Sequence, residues 1–435
     1  MKDEPILESP NLDDKPILVS GMFDMCNFGD LLFPLVAAYR LKRYGLEVLP
    51  VSPTGRTTGL VDALPSVAVG EVLSGAIQGR GFLLGGGYII HNHRMHFLAE
   101  YREGDLGEWI GPGMWLGVTL AAALRDVPVA WNGPGVPHPF ARSHRVAVDA
   151  ALRAADYVSL RDRGSKELLE PPDDVSVAIV PDPIADLSSM WPADGLTVHF
   201  RKFLSRKNAP SDVRYAAFHL RNRSLAGIGM AGIAAALDAF AQEEGVCPIL
   251  LAVGRSHEDE VTARAVSTCM RVRHFVLDDP LSLAEITAVI CNSAVYVGAS
   301  LHGYVAAAAY HVPGVLVALP AYRKFAGFLE HTQRIHDLTH GWLEALGLAS
   351  GRLRDGHVVG IPSSVTVALD RHWDAIAKAL SDRGHRRQER IDFLRACLEV
   401  GISAIGPRWA HQPLIRRGGS SGILLDIGMS GGTPG

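Results

Sequence analysis

Short apolar runs alternate with helical stretches along most of the chain, and this alternation restricts the possible folds more than any other feature of the sequence. Apolar runs occur at residues 16–20 and 47–51 in the first half, and at 214–220, 247–253 and 273–277 in the second. Strands that alternate with helices build doubly wound sheets. The sequence therefore predicts an α/β fold with two doubly wound, Rossmann-like domains that face each other across a cleft.

Breaks in this pattern predict the domain boundaries. Between residues 191 and 212 the periodicity fades, and prolines and basic residues accumulate, which is typical of an interdomain linker. The predicted divisions are an N-terminal extension at 1–15, an N-terminal domain at 16–190, a linker at 191–212, a C-terminal domain with closing helices at 213–400, and a flexible tail at 401–435 that contains GGSSG and SGGTPG.

Composition narrows the class of protein. Of the 435 residues, 48% are hydrophobic and 20% are charged, which fits a globular enzyme and not a disordered chain. The net charge of −4 argues against nucleic-acid binding as the main activity, because such domains are usually strongly basic. The five cysteines are scattered and show no zinc or redox spacing, so we expect a reducing, cytoplasmic setting and no metal site.

No stretch of the sequence is predicted to cross a membrane. The N-terminus is acidic and interrupted by prolines, unlike a signal peptide. The most apolar window, residues 303–319, is interrupted by His311 and Pro313. Any contact with a membrane is therefore expected to be peripheral.

The stretch from Ala294 to Lys324 is where we expect the chemistry. His302 falls between a predicted strand that ends at Gly298 and an alanine-rich helix. In an open α/β sheet the carboxyl end of a strand and the start of the next helix form the edge where ligands bind, and the free N–H groups there attract anions. The alternative is a histidine that caps the helix or bonds a buried carbonyl.

A second strand-to-helix turn contains Asn27, Gly29 and Asp30. Asp30 is suited to the first turn of a helix, where its carboxylate can accept backbone N–H bonds. Such turns approach a substrate with their backbone, although the same residues also suit a purely structural turn.

Three glycines, Gly85, Gly86 and Gly87, end another predicted strand. They leave the backbone bare, which suits a phosphate or the face of a sugar, but they match neither a Walker loop nor G-x-G-x-x-G. The following His91-Asn92-His93-Arg94-Met95-His96 invites a metal interpretation, yet no carboxylate or thiolate stands at a supporting spacing. We therefore expect a polar rim of the cleft there.

Two arginines stand at predicted strand ends. Arg161 precedes Asp162 and either forms an ion pair that fixes the loop or faces a ligand anion. Arg221 ends the first strand of the second half and is a candidate anion partner for that reason alone.

In their order and spacing, these motifs resemble the polysaccharide pyruvyl transferase family, over about residues 17–348. The motifs that carry the resemblance are Asn27-x-Gly29-Asp30, Gly85-Gly86-Gly87, Ser159-x-Arg161-Asp162-x-x-Ser165, Asp182-Pro183, and Ser300-Leu301-His302-Gly303 with Pro313 and Tyr322-x-Lys324. The resemblance implies a fold similar to the two-domain glycosyltransferase (GT-B) architecture. It also implies phosphoenolpyruvate as the donor, used as a substrate with no further cofactor, and pyruvate attached to a saccharide as a cyclic ketal.

By the same resemblance, His302 matches the catalytic histidine of the family, and we assign it the role of general acid. Arg161 and Lys324 are candidate partners of the anionic donor by their motifs, and Arg221 is a third candidate only because of its place at a strand end. Asn27, Gly29, Asp30, Gly85, Gly86, Gly87 and Ser300 complete the expected substrate-binding set. Many members of the family have arginine where this chain has Ser300. The missing cation must then be supplied from elsewhere in the site.

Two alternative functions remain open at this point: a nucleotide-sugar glycosyltransferase of the same fold and a non-catalytic carbohydrate-binding protein. The expected partners are phosphoenolpyruvate and a saccharide acceptor, free or lipid-linked, with no nucleic acid. The expected location is the cytoplasm or the inner face of the membrane. The acceptor sugar and the oligomeric state are not readable from the residues.

Overall fold

The computed structural model describes residues 14–102, 105–356, 360–382 and 384–411. Most of the N-terminal extension predicted at 1–15 and most of the predicted tail at 401–435 lie outside the described residues. No helix of the described ranges is long and apolar enough to cross a membrane.

The described residues of the N-terminal half form seven strands: β1 (Ile17–Ser20), β2 (Val48–Ser52), β3 (Val67–Ala68), β4 (Gly81–Leu84), β5 (Val129–Trp131), β6 (Val158–Leu160) and β7 (Val177–Ile179). Its helices are α1 (Phe28–Leu41), α2 (Val69–Ser74), α3 (Leu106–Pro112), α4 (Val118–Arg125), α5 (Arg145–Ala154), α6 (Arg163–Leu169) and α7 (Leu187–Met190), and a π-helical turn at Gly113–Gly117 joins α3 to α4.

In the C-terminal half, the part of the chain that the structure describes forms six strands: β8 (Tyr215–His219), β9 (Cys247–Leu251), β10 (Phe275–Leu277), β11 (Tyr296–Gly298), β12 (Gly314–Val317) and β13 (Leu338–Thr339). The helices from residue 193 onward are α8 (Ala193–Arg206), α9 (Gly229–Glu244), α10 (Asp259–Ser267), α11 (Leu283–Cys291), α12 (Leu301–Ala309), α13 (Arg323–Thr332), α14 (Trp342–Asp355), α15 (Ser363–Ser381), α16 (Arg387–Ile405) and α17 (Arg408–His411).

Both main sheets are parallel and doubly wound. The first has the order β3-β2-β1-β4-β5, and a bridge from Ala130 to Tyr157 connects it to the pair β6-β7. The second has the order β10-β9-β8-β11-β12-β13, which is the Rossmann order 3-2-1-4-5-6. The fold class predicted from the alternation of strands and helices is confirmed.

The strand order fixes where a ligand can bind. The strand order reverses between β1 and β4 in the first sheet and between β8 and β11 in the second, although the strands themselves are parallel. Ligands of open α/β sheets bind outside the carboxyl ends of the strands at such switch points. The residues after β1, β4, β8 and β11 are therefore the ones that the topology brings to the cleft.

One apolar core continues through the interface between the halves. It includes Leu31 and Phe33 of α1 together with Leu301, Tyr304 and Val305 of α12, all nearly inaccessible to solvent. Burial of each such side chain contributes about 1.5–3 kcal/mol. The two domains are thus held together by packing as well as by their connections.

Two segments differ from the expected organisation. The stretch predicted as a linker contains α8, whose Leu196, Phe203 and Leu204 lie buried on one face and which packs against α11. The basic residues between these positions hid the helical period. The C-terminal helices α15 and α16, expected to close the second domain, pack against β5, α4 and α5 of the first, and helical structure continues into the predicted tail as far as residue 411.

Ion pairs of two buried arginines fix this crossing. Arg40 of α1 lies between Asp186, 2.8 Å from its Nε, and Asp370 of α15, 2.8 Å from its Nη2. The indole N–H of Trp373 also donates to Asp186, at 3.1 Å. Further along, Arg390 of α16 contacts Asp126 at 2.9 Å and Asp156 at 2.8 Å.

Replacing Arg40 tests this arrangement. We expect Arg40→Ala to lower the free energy of unfolding by about 3–5 kcal/mol, because it leaves the carboxylate of Asp186 buried without its partner. Arg43→Ala is the matched control: Arg43 pairs with Asp374 at 3.2 Å on the surface, and its loss should cost at most about 1 kcal/mol. Chemical denaturation measures both, and equal shifts in the two variants would contradict the assignment.

Candidate functional site

A cleft of about 410 Å³ lies between the carboxyl ends of the two sheets. Eight of the eleven predicted site residues line it: Asn27, Asp30, Gly87, Arg161, Arg221, Ser300, His302 and Lys324. Gly29 lies against the ring of His302, while Gly85 and Gly86 lie away from the cleft surface. The structure therefore brings together residues that are as much as 297 positions apart in the sequence.

His302 occupies the first turn of α12, with its side chain 12% exposed. Its Nε2 lies 3.6 Å from Oδ2 of Asp182, a carboxylate that is only 2% exposed. Burial alone would raise the pKa of Asp182, but the imidazole of His302 and the charge of Arg161 outweigh it and hold that pKa below its ordinary value. Asp182 is therefore a charged group beside the imidazole of His302 and can orient it.

Gly29 gives His302 the room it needs. A Cβ atom added to Gly29 would overlap with the imidazole ring, its nearest neighbour being Nδ1. On another side, the ring of Phe33 meets the imidazole edge-on, with 5.5 Å between the ring centroids. Because Gly29 and Phe33 belong to α1 and His302 to α12, the position of the imidazole is set by the contact between the two domains.

The three glycines after β4 serve different purposes. A Cβ atom on Gly85 would lie 2.8 Å from the carbonyl oxygen of Ser20, and one on Gly86 would overlap with the ring of Phe33. Both are thus required by packing inside the N-terminal domain. Gly87 lines the cleft with φ +88°, a backbone conformation that residues with a side chain rarely adopt.

Two helices begin at the cleft. The side chain of Asn27 caps α1 by accepting the N–H of Gly29 at 3.3 Å, and Ser300 caps α12 by accepting the N–H of Gly303 at 3.3 Å. The positive ends of both helix dipoles therefore face the same space. This is the local setting that favours a bound anion.

Arg161 supplies a buried cation on the N-terminal side of the cleft. Its side chain is 5% exposed, and its guanidinium lies over the ring of Tyr88 at 4.0 Å from the centroid. The carboxylate of Asp162 stands 3.5 Å from Nε. Within the described residues, Nε and Nη2 are buried without a hydrogen-bond partner, so the side chain has unused donors at the cleft.

Arg221 and Arg223 supply cations from the C-terminal side. Both follow β8 and line the cleft. Arg221 is 13% exposed, with Nε 3.5 Å from Asp259, while the guanidinium of Arg223 lies 4.8 Å from the centre of the Tyr322 ring. Burial and the neighbouring charge of Arg221 lower the pKa of Arg223. These like charges lie side by side, an arrangement that an anionic ligand would relieve.

The pKa values of Lys324 and Asp30 are shifted by burial and by the neighbouring charges. Burial, together with the charges of Arg161 and Arg221, lowers the pKa of Lys324 to about 7. Burial raises the pKa of Asp30, although His302 and Lys324 oppose the rise. A cleft that contains an amine about half protonated near pH 7 and a carboxyl with a raised pKa is a candidate catalytic site.

The histidine-rich segment after β4 forms part of the rim. His91 and His93 line the cleft, and their ring centroids lie 6.0 Å apart, with His138 a further 4.5 Å from His93. Burial, reinforced by the other two imidazoles, lowers the pKa of His91 to about 4. His96 lies below the rim, against Gly107. Where the structure describes the chain, no three His, Cys, Asp or Glu side chains are arranged to hold a metal ion.

The sequence analysis did not identify several residues that line the cleft or lie behind it. Asp182 belongs to a recognised motif, and that motif could have suggested a partner for His302. The spacing Arg221-x-Arg223 after a strand could have indicated a second arginine. Tyr88 also lines the cleft, and its place directly after Gly87 could have indicated it. His257 lines the cleft as well, but its neighbours in sequence carry no signal for it.

Two facing Rossmann-like domains with a polar cleft between their strand ends define the class of this protein, a two-domain α/β protein with a ligand cleft at the switch points of both sheets. The sequence profile of the family described as polysaccharide pyruvyl transferase matches residues 27–319. The match covers more than half of the chain, and the chain therefore belongs to the polysaccharide pyruvyl transferase family. The family indicated by the sequence motifs is confirmed.

Solved structures show a more distant similarity. The UDP-GlcNAc 2-epimerase of Methanocaldococcus jannaschii is 11% identical, with 88% of this chain and 98% of that chain covered and a TM-score of 0.45. A glycosyltransferase from Rickettsia africae is 10% identical, with 90% of this chain and 98% of that chain covered and a TM-score of 0.44. The wall teichoic acid polymerase TagF is 10% identical, with 91% of this chain and 92% of that chain covered and a TM-score of 0.43. No curated protein sequence matches the chain.

The low pKa of Lys324 can be measured directly. We expect acetylation of Lys324 by acetic anhydride to reach half its maximal rate near pH 7, because only the neutral amine reacts. Lys202, an exposed lysine of α8, serves as the comparison in the same digest, and mass spectrometry follows both peptides. Added phosphate should slow labelling of Lys324, because a bound anion favours the ammonium form. The same pH dependence for Lys324 and Lys202 would refute the perturbed site.

Proposed function

We propose that this protein transfers pyruvate from phosphoenolpyruvate to a saccharide, forms a cyclic ketal and releases phosphate. The observation that carries the proposal is the group of four cationic side chains, Arg161, Arg221, Arg223 and Lys324, around the His302–Asp182 pair. The chain as a whole has a net charge of −4, so this cluster is a local feature of the cleft. Membership in the pyruvyl transferase family supports the same donor.

Phosphoenolpyruvate carries two anionic groups, a carboxylate and a phosphate. The cleft offers cations on both of its walls, Arg161 on one side and Arg221, Arg223 and Lys324 on the other. Hydrogen bonds to charged groups contribute about 1.5–3 kcal/mol each. The unused donors of Arg161 then have a purpose, since a bound anion would satisfy them.

His302 is proposed as the general acid. It delivers a proton to the methylene carbon of phosphoenolpyruvate, and the oxocarbenium-like centre that results is attacked by a hydroxyl oxygen of the saccharide. The carboxylate of Asp182, 3.6 Å from Nε2, stabilises the imidazolium before the transfer. Positioned acid–base groups of this kind typically contribute 10²–10⁴-fold in rate.

A second hydroxyl closes the ketal. Its oxygen bonds to the same carbon as the carbon–oxygen bond to phosphate breaks, so the phosphate leaves with both electrons of that bond. The two acceptor hydroxyls lose two protons overall. One replaces the proton that His302 gave to the new methyl group, and the other is taken by the leaving phosphate. No oxidant, reductant or other cofactor is needed for this balance.

The acceptor is proposed to occupy the N-terminal wall, where His91, His93 and His138 adjoin Met95 and the exposed ring of Phe97. Imidazoles can exchange hydrogen bonds with sugar hydroxyls, while the apolar side chains suit the C–H face of a sugar ring. We propose a cytoplasmic reaction in which membrane contact, if the acceptor is lipid-linked, is peripheral.

The test is turnover by the purified full-length protein. Phosphoenolpyruvate with a suitable saccharide should release phosphate and leave an acid-labile ketal on the sugar, seen by mass spectrometry as the added pyruvyl group. UDP-sugars with the same saccharides form the parallel arm. Release of a nucleoside diphosphate, with no turnover of phosphoenolpyruvate, would establish a glycosyltransferase instead, whereas saccharide binding with neither product would indicate a binding protein.

Two variants test the role of His302. We expect His302→Ala to lower kcat by about 10²–10⁴-fold, and Gly29→Ala to cause a loss of similar size by displacing the intact imidazole. Gly70→Ala in α2 is the matched control, because a Cβ atom there meets no neighbour within 4 Å. Circular dichroism should show all three variants folded. Near-parental kcat in His302→Ala would remove the imidazole from the mechanism.

A further inference from the structure

A buried carboxylate, Asp259, lies directly behind Arg221. Asp259 is the first residue of α10 and is 0% exposed. Its Oδ2 lies 2.9 Å from Nε2 of His219, and its Oδ1 lies 3.5 Å from Nε of Arg221. One carboxylate therefore connects a residue of the sheet to a cation of the cleft.

His219 fixes one end of this chain of contacts. It is the last residue of β8, is 0% exposed and does not line the cleft. Burial alone would raise the pKa of Asp259, but His219 and Arg221 together hold it below its ordinary value, so the carboxylate is charged. A charged, solvent-free group with one oxygen held by the sheet is a rigid support.

Arg221 forms the other end. With Nε turned toward Asp259, the two terminal guanidinium nitrogens are available to a ligand in the cleft. As far as the chain is described, Nε of Arg221 and Oδ1 of Asp259 lack a hydrogen bond in spite of their proximity. A small shift of the guanidinium would close this contact.

We propose that Asp259 is a positioning residue that holds Arg221 in the orientation required to bind the anionic donor, and that His219 in turn orients Asp259. The proposal rests on the function proposed above. Neither His219 nor Asp259 lines the cleft, so both act through Arg221.

The direction in which Asp259→Asn changes the affinity for phosphoenolpyruvate distinguishes positioning of Arg221 from simple electrostatics. Asp259 is a negative charge behind an anion site, so its neutralisation alone would tighten binding of phosphoenolpyruvate. If its main effect is to position Arg221, Asp259→Asn must weaken binding instead. We expect a dissociation constant about tenfold higher, the equivalent of part of one charge-assisted hydrogen bond.

The experiment is calorimetric titration of phosphoenolpyruvate into the full-length protein without saccharide. Asp259→Asn and Arg221→Ala should each bind about tenfold more weakly, and the double variant no more weakly than Arg221→Ala, because both changes remove the same interaction. Asp278→Asn is the matched control: this acid pairs with Lys207 at 3.1 Å and does not line the cleft, so affinity should be unchanged.

Unchanged or tighter binding by Asp259→Asn, or additive losses in the double variant, would overturn the inference. If Asp259→Asn does not fold, His219→Gln replaces it, with weaker binding expected for the same reason. Parental affinity in His219→Gln would count against the inference. If the parent protein binds no phosphoenolpyruvate, the proposed function fails, and titration of inorganic phosphate into the same variants then tests Asp259 independently. Binding of neither ligand would overturn both proposals.

Discussion

The packing of His302 against Gly29 is the contact on which the rest of the site depends. The imidazole belongs to α12 of the C-terminal domain, and the glycine that makes room for it belongs to α1 of the N-terminal domain. Around this point Leu31, Phe33 and Leu301 continue one core through both domains. Separating the domains would expose these apolar side chains and would also remove His302 from Asp182, so the forces that hold the domains together also hold the proposed acid in place.

The charged side chains in the cleft and behind it also depend on one another. Cations accumulate in the cleft, and burial together with the charges of Arg161 and Arg221 lowers the pKa of Lys324. Carboxylates behind them, Asp182 and Asp259, remain charged although they are buried. Each buried carboxylate therefore compensates for a group that faces the cleft, while the cleft surface itself stays positive and open to an anion.

Much of the fold could be read from the sequence because buried parallel strands are short apolar runs and doubly wound sheets follow from their alternation with helices. The C-terminal crossing of α15 and α16 could not, because the partners of Arg40 and Arg390 lie far away in sequence. In the site, His302 and Lys324 were predictable from motifs, whereas His257 was not. The glycines after β4 show the limit most clearly: Gly85 and Gly86 read as substrate-facing, yet their lack of a side chain is required by packing against Ser20 and Phe33.

Ser300 shows how one requirement can be met by different residues. Position 300 must cap α12, which a serine hydroxyl does by accepting the N–H of Gly303. The cation that many family members place there can instead come from the end of a neighbouring strand, because β8 pairs directly with β11 and the residues after both strands reach the same switch point. Arg221 and Arg223 follow β8. Parallel pairing thus allows positive charge to be supplied from the adjacent loop while the helix start keeps its cap, and a motif that lacks its arginine remains compatible with an anionic donor.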